Sequence, residues 1–498
     1  MNGELTSLFE LPNGWVWTRL GEMALEPQYG WTTSAADTGA LRLLRTTDIT
    51  SGYVDWGSVP FCQDEPPDVA KYLLHDKDIV ISRAGSVGYS YLIKNPPEAV
   101  FASYLIRFRP LIDAAYFGLF LKSPMYWEAI LEKSIGIALA NVNASKLKQI
   151  HVPLPPLPEQ HRIVAKIEEL FTRLDAGVES IRKIKAQVKR YRQSVLKQAF
   201  EGRLTEEWRQ AHQHELEPAS ILLECIRKER QQSAKGKYKE LLPLDTHHLP
   251  KLPEGWVWTI TSAVCSSVRD GTHDTPKYIE EGIPLVTSKN LRENGLDFTT
   301  ARNISIEDHK KISVRSGVDA GDILFAMIGT IGNPVVVRTN KTFSIKNVGL
   351  FKKNEAFLDS EYLGFWLTSQ VFREILEEKK LLKGTTQKFI PLEHLRILPV
   401  PLTSRLEQHR IVEEIERRFS VADQIEKTID HSLGQAARLR QSILKRAFEG
   451  KLVPQDPNDE PAEKLLERVR EDRAKPQATV QPAKVSRKRV TTEEMRLL

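Results

Sequence analysis

Two glycine-framed loops, Gly85-Ser86-Val87-Gly88 and Gly329-Thr330-Ile331-Gly332, are the first places in this sequence where backbone could cradle a phosphate. Neither ends in the Gly-Lys-Ser/Thr that gives a nucleotide-binding loop its lysine and its metal-bound hydroxyl, so both read as turns. Glu377-Glu378-Lys379 has a Glu-x-Lys spacing suited to metal-dependent phosphodiester hydrolysis, but helical stretches rich in Glu and Lys produce it by chance. His212-x-His214 and His247-His248 stand in polar linker without further ligands at metal-binding spacing. The 3 cysteines, Cys62, Cys225 and Cys265, are far apart and form no Cys-x-x-Cys, which excludes a disulfide framework and a zinc ribbon. No metal site and no catalytic constellation emerges.

Asn95-Pro96-Pro97-Glu98 has the Asn-Pro-Pro with which amino-methyl transfer to a flipped base is organised, but Glu98 stands where the stacking aromatic would be, and no Phe-x-Gly-x-Gly cofactor loop precedes it. Binding chemistry remains. Gln28-Tyr29-Gly30-Trp31-Thr32-Thr33-Ser34 and Arg269-Asp270-Gly271-Thr272-His273-Asp274-Thr275-Pro276 are loops of glycine and small hydroxyl residues. Such loops let backbone approach a ligand closely, and Thr, Asn, Gln, Lys and Arg can read groove edges; the plainer reading is that they are turns.

The elements that carry these loops are repeated. Leu11-Pro12-Asn13-Gly14-Trp15-Val16-Trp17-Thr18 returns as Leu252-Pro253-Glu254-Gly255-Trp256-Val257-Trp258-Thr259. Glu159 to Val164 returns unchanged at Glu407 to Val412, and Arg192–Leu204 returns as Arg440–Leu452 with ten of thirteen positions identical. Two copies of a unit of about 245 residues fill nearly the whole chain of 498. Each copy has a variable front, sharing little beyond Asp78-Ile79 with Asp322-Ile323 and the two glycine-framed loops, and a nearly constant back. The fronts mix short β-like runs (Asp78 to Ser82, Asp322 to Ala326, Thr342 to Phe351) with helical stretches (Ala115 to Glu132, Glu361 to Lys379), which gives an α+β class.

The backs read as long helices. After the proline-rich Val152 to Pro158 there is no further proline before Phe200. Ile167, Leu174, Ile181, Val188 and Val195 fall seven apart, with Leu170, Ile184 and Tyr191 three residues on, a coiled-coil seam. The second copy repeats the register with Ile415, Ala422, Ile429, Ala436 and Ile443, with Ile425 and Leu439 beside them; Arg418, Ser432 and Arg446 interrupt it. Gly202 and Gly450 suit helix stops. Each rod of about 42 residues would span ~60 Å. Matching apolar stripes in one chain favour an antiparallel pair; the alternative is that each helix packs on its own module. From Arg182 to Lys197 seven basic residues occur without an acid, either a solvated face or a contact for phosphate or an acidic partner.

Composition sets the class. The chain is 41% hydrophobic and 27% charged, with 71 basic and 65 acidic residues giving +6. That mild bias is compatible with nucleic acid without being diagnostic. No stretch approaches the ~18 apolar residues of a membrane span, and no basic-then-apolar segment follows Met1, so a cytoplasmic protein without membrane contact is expected.

Taken together, the two Gly-Trp-x-Trp openings, the Ile150–Gln160 block IHVPLPPLPEQ and the Phe-Glu-Gly-x-Leu helix ends resemble the specificity subunit of type I restriction-modification systems. The similarity runs from residue 10 to about 470, and the Asp270–Pro276 loop resembles one common in that family's recognition domains. The second copy departs at Thr403-Ser404-Arg405-Leu406, where the proline run is lost. The resemblance implies two target-recognition domains, at 1–153 and 246–401. Helical spacers at 154–245 and 402–470 would form two long antiparallel coiled-coil helices in a pseudo-twofold repeat, followed by a basic tail at 471–498.

By the same resemblance the chain is a non-catalytic reader of double-stranded DNA. Each recognition domain would take one half of a bipartite site, the helices would fix the distance between the halves, and two methyltransferase subunits and restriction (motor-nuclease) subunits would dock. The chain itself would need no cofactor; S-adenosylmethionine, ATP and Mg would belong to the partners. Expected groove-facing residues are Tyr29, Thr32, Thr46, Thr47 and Arg83 in the first module and Thr272, His273, Thr275, Lys289 and Asn290 in the second; each could instead stabilise its loop. The triplets Gln160-His161-Arg162 and Gln408-His409-Arg410 are expected to meet the methyltransferase, their alternative role being to cap and pack the helix start. The rival reading of the whole chain is a scaffold that spaces two protein partners without touching DNA.

Overall fold

A computed structural model describes residues 9–134, 141–233, 244–329, 331–384 and 387–474. It forms two compact units, Met1–Ser180 with Ser432–Leu498, and Ile181–His431. Each unit therefore takes residues from both copies of the repeat. Most of the basic tail expected at 471–498 lies outside the described residues.

In the first unit the strand Val16–Arg19 pairs antiparallel with His151–Leu154, so the proline-rich run enters as an edge strand and not as helix. That suits a segment whose prolines have no N–H to give. A four-stranded sheet runs in the order Gln28–Tyr29, Leu105–Phe108, Ile79–Ser82, Ser90–Leu92, and a second in the order Ala35–Ala36, Phe61–Cys62, Arg42–Leu44, Ala99–Phe101. Ile79, Val80 and Ile81 are buried on both faces because the two sheets and a helix layer enclose them. The stretch expected to be one helix over Ala115 to Glu132 is two, Ala114–Phe120 and Pro124–Ser134. Pro124 lacks the N–H needed to continue the first helix and starts the second.

The second unit has the same plan. Val257–Ile260 pairs with Pro399–Leu402. The main sheet runs Val268–Asp270, Val348–Phe351, Ile323–Ala326, Gly332–Val336, and a smaller one Arg302–Ile304, Ile283–Val286, Ser344–Ile345. The run expected as one strand over Thr342 to Phe351 is broken at Asn347, whose φ is 52°.

Both long helices have 44 residues, Leu157–Phe200 and Arg405–Phe448. The lost proline run does not move the second start. Pro156 O accepts from Glu159 N and Gln160 N at 3.0 and 2.9 Å, while Ser404 Oγ accepts from Glu407 N at 3.2 Å and its carbonyl from Gln408 N at 2.9 Å. A serine cap does the work of the proline turn. Gly202 and Gly450 end the helices at φ 71° and 68°.

The helices pair antiparallel. In the second unit Lys185 Nζ reaches Asp430 Oδ1 at 2.6 Å, while Arg192 Nη2 reaches Asp423 Oδ1 at 2.5 Å and Glu426 Oε2 at 3.0 Å, partners descending as the basic residues ascend. In the first unit Arg440 meets Asp175. Arg192 also lies over Phe419 at 4.9 Å, as Arg440 lies over Phe171 at 4.2 Å. For Lys185 and Arg192 the acidic partner of the basic run is thus the other helix. Ile167, Val188, Val195, Ile415, Ala422, Ile429 and Ile443 are buried, whereas Ile184, Tyr191, Ile425 and Leu439 are exposed. The remaining members of the seven-spaced row, Leu174, Ile181 and Ala436, are half-buried, so that row carries the seam, less tightly closed there, and ion pairs flank it.

The helix ends also pack on the modules, so the two arrangements weighed from sequence coexist. Phe448 sits 5.2 Å from the Tyr116 ring and 5.4 Å from Phe120; Phe200 sits 5.4 Å from Tyr362 and 5.1 Å from Trp366. Each unit thus buries the start of one long helix and the end of the other. The repeated Trp of the Gly-Trp-x-Trp opening explains its own recurrence: Trp15 Nε1 donates to Glu159 Oε2 at 3.0 Å and Trp256 Nε1 to Glu407 Oε2 at 2.8 Å, both buried. A buried bond to a charged acceptor stabilises by about 1.5–3 kcal/mol.

Candidate nucleic-acid interface

Gln28 and Tyr29 pair with Arg107 and Ile106, and the chain then turns at Gly30. A Cβ on Gly30 would overlap the carbonyl oxygens of Phe101 and Ala102. Past that glycine, Trp31 N donates to Phe101 O at 2.8 Å and Ser103 N to Trp31 O at 2.9 Å. The second unit repeats the device with other residues. A Cβ on Gly271 would overlap Ile345 O, Thr272 N donates to that oxygen at 3.1 Å, and Asn347 N donates to Thr272 O at 3.1 Å. Trp31 thus corresponds to Thr272, Thr32 to His273, and Ser103 to Asn347.

A second loop joins each of these. Arg45 N donates to Asp48 Oδ2 at 2.8 Å, and Thr287 N donates to Asn290 Oδ1 at 2.8 Å, so one short capped turn recurs with an acid in one unit and an amide in the other. Thr46 and Thr47 occupy the first turn in one unit, Ser288 and Lys289 in the other. Thr46 Oγ1 lies 3.5 Å from Ser82 Oγ, and Ser288 Oγ donates to Asn347 O at 3.3 Å.

Among the residues singled out from sequence, Thr32, Thr47, His273, Thr275 and Lys289 are exposed, while Thr46, Arg83 and Thr272 are half-buried. Tyr29 is partly occupied with structure: its hydroxyl accepts from Ala144 N at 3.0 Å, and Arg83 lies over its ring at 5.1 Å. His273 is held between Asp270 Oδ2 and Asn347 Oδ1, both 2.9 Å away, and Lys346 reaches Thr275 Oγ1. Asn290 is different. It is buried, accepts from Thr287 N, and gives its amide to Asp297 O at 3.0 Å and Thr300 Oγ1 at 3.1 Å. Its side chain is spent on the loop, the alternative role given above.

The helix-start triplets divide in the same way. Gln160 and Gln408 are fully buried. Gln160 Nε2 donates to Pro155 O at 2.9 Å and Gln408 Nε2 to Thr403 O at 2.9 Å, while their Oε1 atoms accept from Asp113 N at 3.2 Å and Asp359 N at 2.9 Å. Buried amides with filled valences pack the helix start and present nothing to a partner. His161 and His409 are exposed beside Asp113 and Asp359 at 3.5 and 3.0 Å. Arg162 binds Asp459 at 2.6 Å, and Arg410 binds Glu414 at 2.7 Å.

Sequence reading missed Ser103, Ser288, Lys346 and Asn347. The pairs Ala102-Ser103 and Lys346-Asn347 share no residue, so only backbone hydrogen bonds reveal that they coincide. Arg107, by contrast, is no phosphate ligand. It is buried under Gln28, with Nη1 on Leu73 O at 2.7 Å and Nη2 on Lys71 O at 2.9 Å, and burial pushes its guanidinium down to about 10.

The loops considered for catalysis stay turns: Gly85 takes φ 76° and Asn95 φ 43° between strands, and Thr330 lies outside the described residues. His212 stacks on Trp208 at 4.6 Å. Among the described residues no group of three His, Cys, Asp or Glu is placed to hold a metal, and no helix is long and apolar enough to cross a membrane.

The family model "Type I restriction modification DNA specificity domain" matches residues 43–190 and 274–435, more than half the chain. The chain is 29% identical over 363 residues to the type I restriction enzyme EcoBI specificity subunit of Escherichia coli, covering 70% of each. It is 26% identical over 468 residues to the EcoKI specificity subunit of Escherichia coli strain K12, covering 87% of this chain and 89% of that one. A solved chain from work on complex assembly and conformational transition of the type I R-M system shares the fold at TM-score 0.61 and 18% identity, covering 89% of this chain and 100% of that chain. The chain belongs to the type I restriction-modification specificity family and is the specificity subunit, not a catalytic one.

Proposed function

We propose that this chain reads a bipartite, asymmetric site on double-stranded DNA, each unit taking one half through its paired loops. The observation that carries this is one backbone device, built twice, presenting Trp31, Thr32, Thr46, Thr47 and Ser103 in one unit and Thr272, His273, Ser288, Lys289 and Asn347 in the other. A common scaffold with different side chains at its open edge is what reading two different base sequences requires, because side-chain donors and acceptors at base edges carry the specificity. The two helices, of equal length and nearly the same at their ends, suit like partners: two methyltransferase subunits carrying S-adenosylmethionine, and restriction subunits using ATP and Mg. The chain itself works without a cofactor, in the cytoplasm.

The test is duplex binding by the chain across a salt series, together with mapping of methylated bases in cells carrying its companion subunits. Affinity falling steeply with salt and a split methylated motif are expected. Salt-independent or absent duplex binding, with partners still assembling, would favour the scaffold reading.

A further inference from the structure

Asn347 joins the loops of the second unit at one point. Its backbone N–H donates to Thr272 O at 3.1 Å, its carbonyl accepts from Ser288 Oγ at 3.3 Å, and its Oδ1 lies 2.9 Å from His273 Nδ1. Its φ of 52° is left-handed, a conformation costly for most residues with a Cβ and best tolerated by glycine and asparagine. Holding a residue so firmly in that shape fixes where its side chain stands. His273 Nε2 donates to Asp270 Oδ2 and its Nδ1 engages one end of the Asn347 amide; the other end has no partner among the described residues. The first unit puts Ser103 at the same backbone position, with its N–H on Trp31 O at 2.9 Å, and adds one exposed residue, Tyr104, before the strand resumes. The two units share this hydrogen-bond position but not its residue or its conformation, since Asn347 is left-handed and Ser103 is not.

We propose that Asn347 determines specificity in the second unit, the end of its amide that His273 leaves open hydrogen-bonding a base edge in the major groove. Ser103 with Tyr104 holds the corresponding place in the first unit. This rests on the DNA-reading function proposed above.

Asn347→Gly keeps the left-handed backbone without strain, so any change in recognition comes from the missing amide. Asn347→Asp keeps the shape and leaves only acceptors. Each variant is measured as the full chain, by binding to duplexes carrying every base at each position of the recognised site, and by methylated-motif mapping with the companion subunits. Asn347→Gly is expected to bind the cognate duplex between about fivefold and a hundredfold more weakly, to accept other bases at one position of one half-site, and to leave the other half unchanged. Asn347→Asp, which can only accept, should favour cytosine or adenine at that same position. An unchanged motif and affinity in a folded Asn347→Gly chain would overturn the assignment while leaving the DNA-reading function standing. If Asn347→Gly unfolds, Asn347→Asp, a residue that also tolerates the left-handed backbone, answers the same question through the base preferred at that position. A parent chain showing no preference among the duplexes would remove the reading function and this assignment together.

Discussion

The Ala462 N–H donates to the carbonyl oxygen of Gly14 at 2.9 Å, tying the last described helix to the opening of the chain. Ala219 N–H makes the same bond to Gly255 O at 2.9 Å in the second unit. What is continuous chain in one unit is completed in the other by the far end of the sequence. Leu465, Leu466 and Val469 are buried there among Leu20, Met23 and their neighbours.

Ending the chain after Val453 removes those three side chains, each worth about 1.5–3 kcal/mol when buried. The first unit should lose several kcal/mol and the second should not. Hydrogen exchange will show weakened protection in Val16–Arg19 and His151–Leu154 with Val257–Ile260 unaffected; equal loss in both units would contradict the division.

Phe448→Ala and Phe200→Ala should each cost about 3–5 kcal/mol, the usual penalty for emptying a buried aromatic site. The losses fall in different units, since Phe448 packs on Tyr116 and Phe120, and Phe200 on Tyr362 and Trp366. Denaturation monitored by exchange in each module checks the assignment.

Along the helix pair, burial should outweigh charge. Ile429→Ala opens a buried seam position and should cost about 2–5 kcal/mol, whereas Asp423→Asn weakens a largely exposed pair worth roughly 0.2–1 kcal/mol. Urea midpoints of the two variants compare them; a larger effect from Asp423→Asn would mean that the ion pairs hold the rods.

Glu159 is held above the ordinary carboxylate range, chiefly by desolvation, against the lowering effect of its bonds from Trp15 and Gln455. The folded unit therefore binds the proton more tightly than the unfolded chain. Its contribution to stability is complete below the unfolded value of about 4.3 and is lost as pH rises through the higher folded value. Glu159→Gln keeps an acceptor for Trp15 Nε1 and removes that loss, so the variant should gain on the parent as pH rises from about 4 to 7. Melting curves of both chains across that range test it.

Exchanging residues 14–150 for the equivalent segment of another family member should change one half of the methylated motif and leave the other. The incoming module must bring counterparts of Trp15, Tyr116 and Phe120, since these meet Glu159 and Phe448 of the retained helices. Mapping methylated bases in the hybrid decides it, and a change in both halves would refute one module for one half-site.

Much of this was local and therefore legible in the chain itself. The repeat, the long helices, their glycine stops and the seven-spaced row depend on neighbours within a few turns, where residue type alone sets the outcome. The strand expected over Asp322 to Ala326 appears as Ile323–Ala326 for the same reason: a short apolar run has no water-facing side to satisfy.

Tertiary structure decided what lies far apart in sequence. Whether Gln160 meets a partner or the helix start depends on Asp113 and Pro155 closing around it, and no spacing rule encodes that. Asn290 looks like a base reader until Asp297 and Thr300 take its amide. Asn347 and Ser103 share nothing as letters. They coincide because the backbone past Gly271 and Gly30 runs against a second strand, and hydrogen bonds between main chains do not record which side chains they carry.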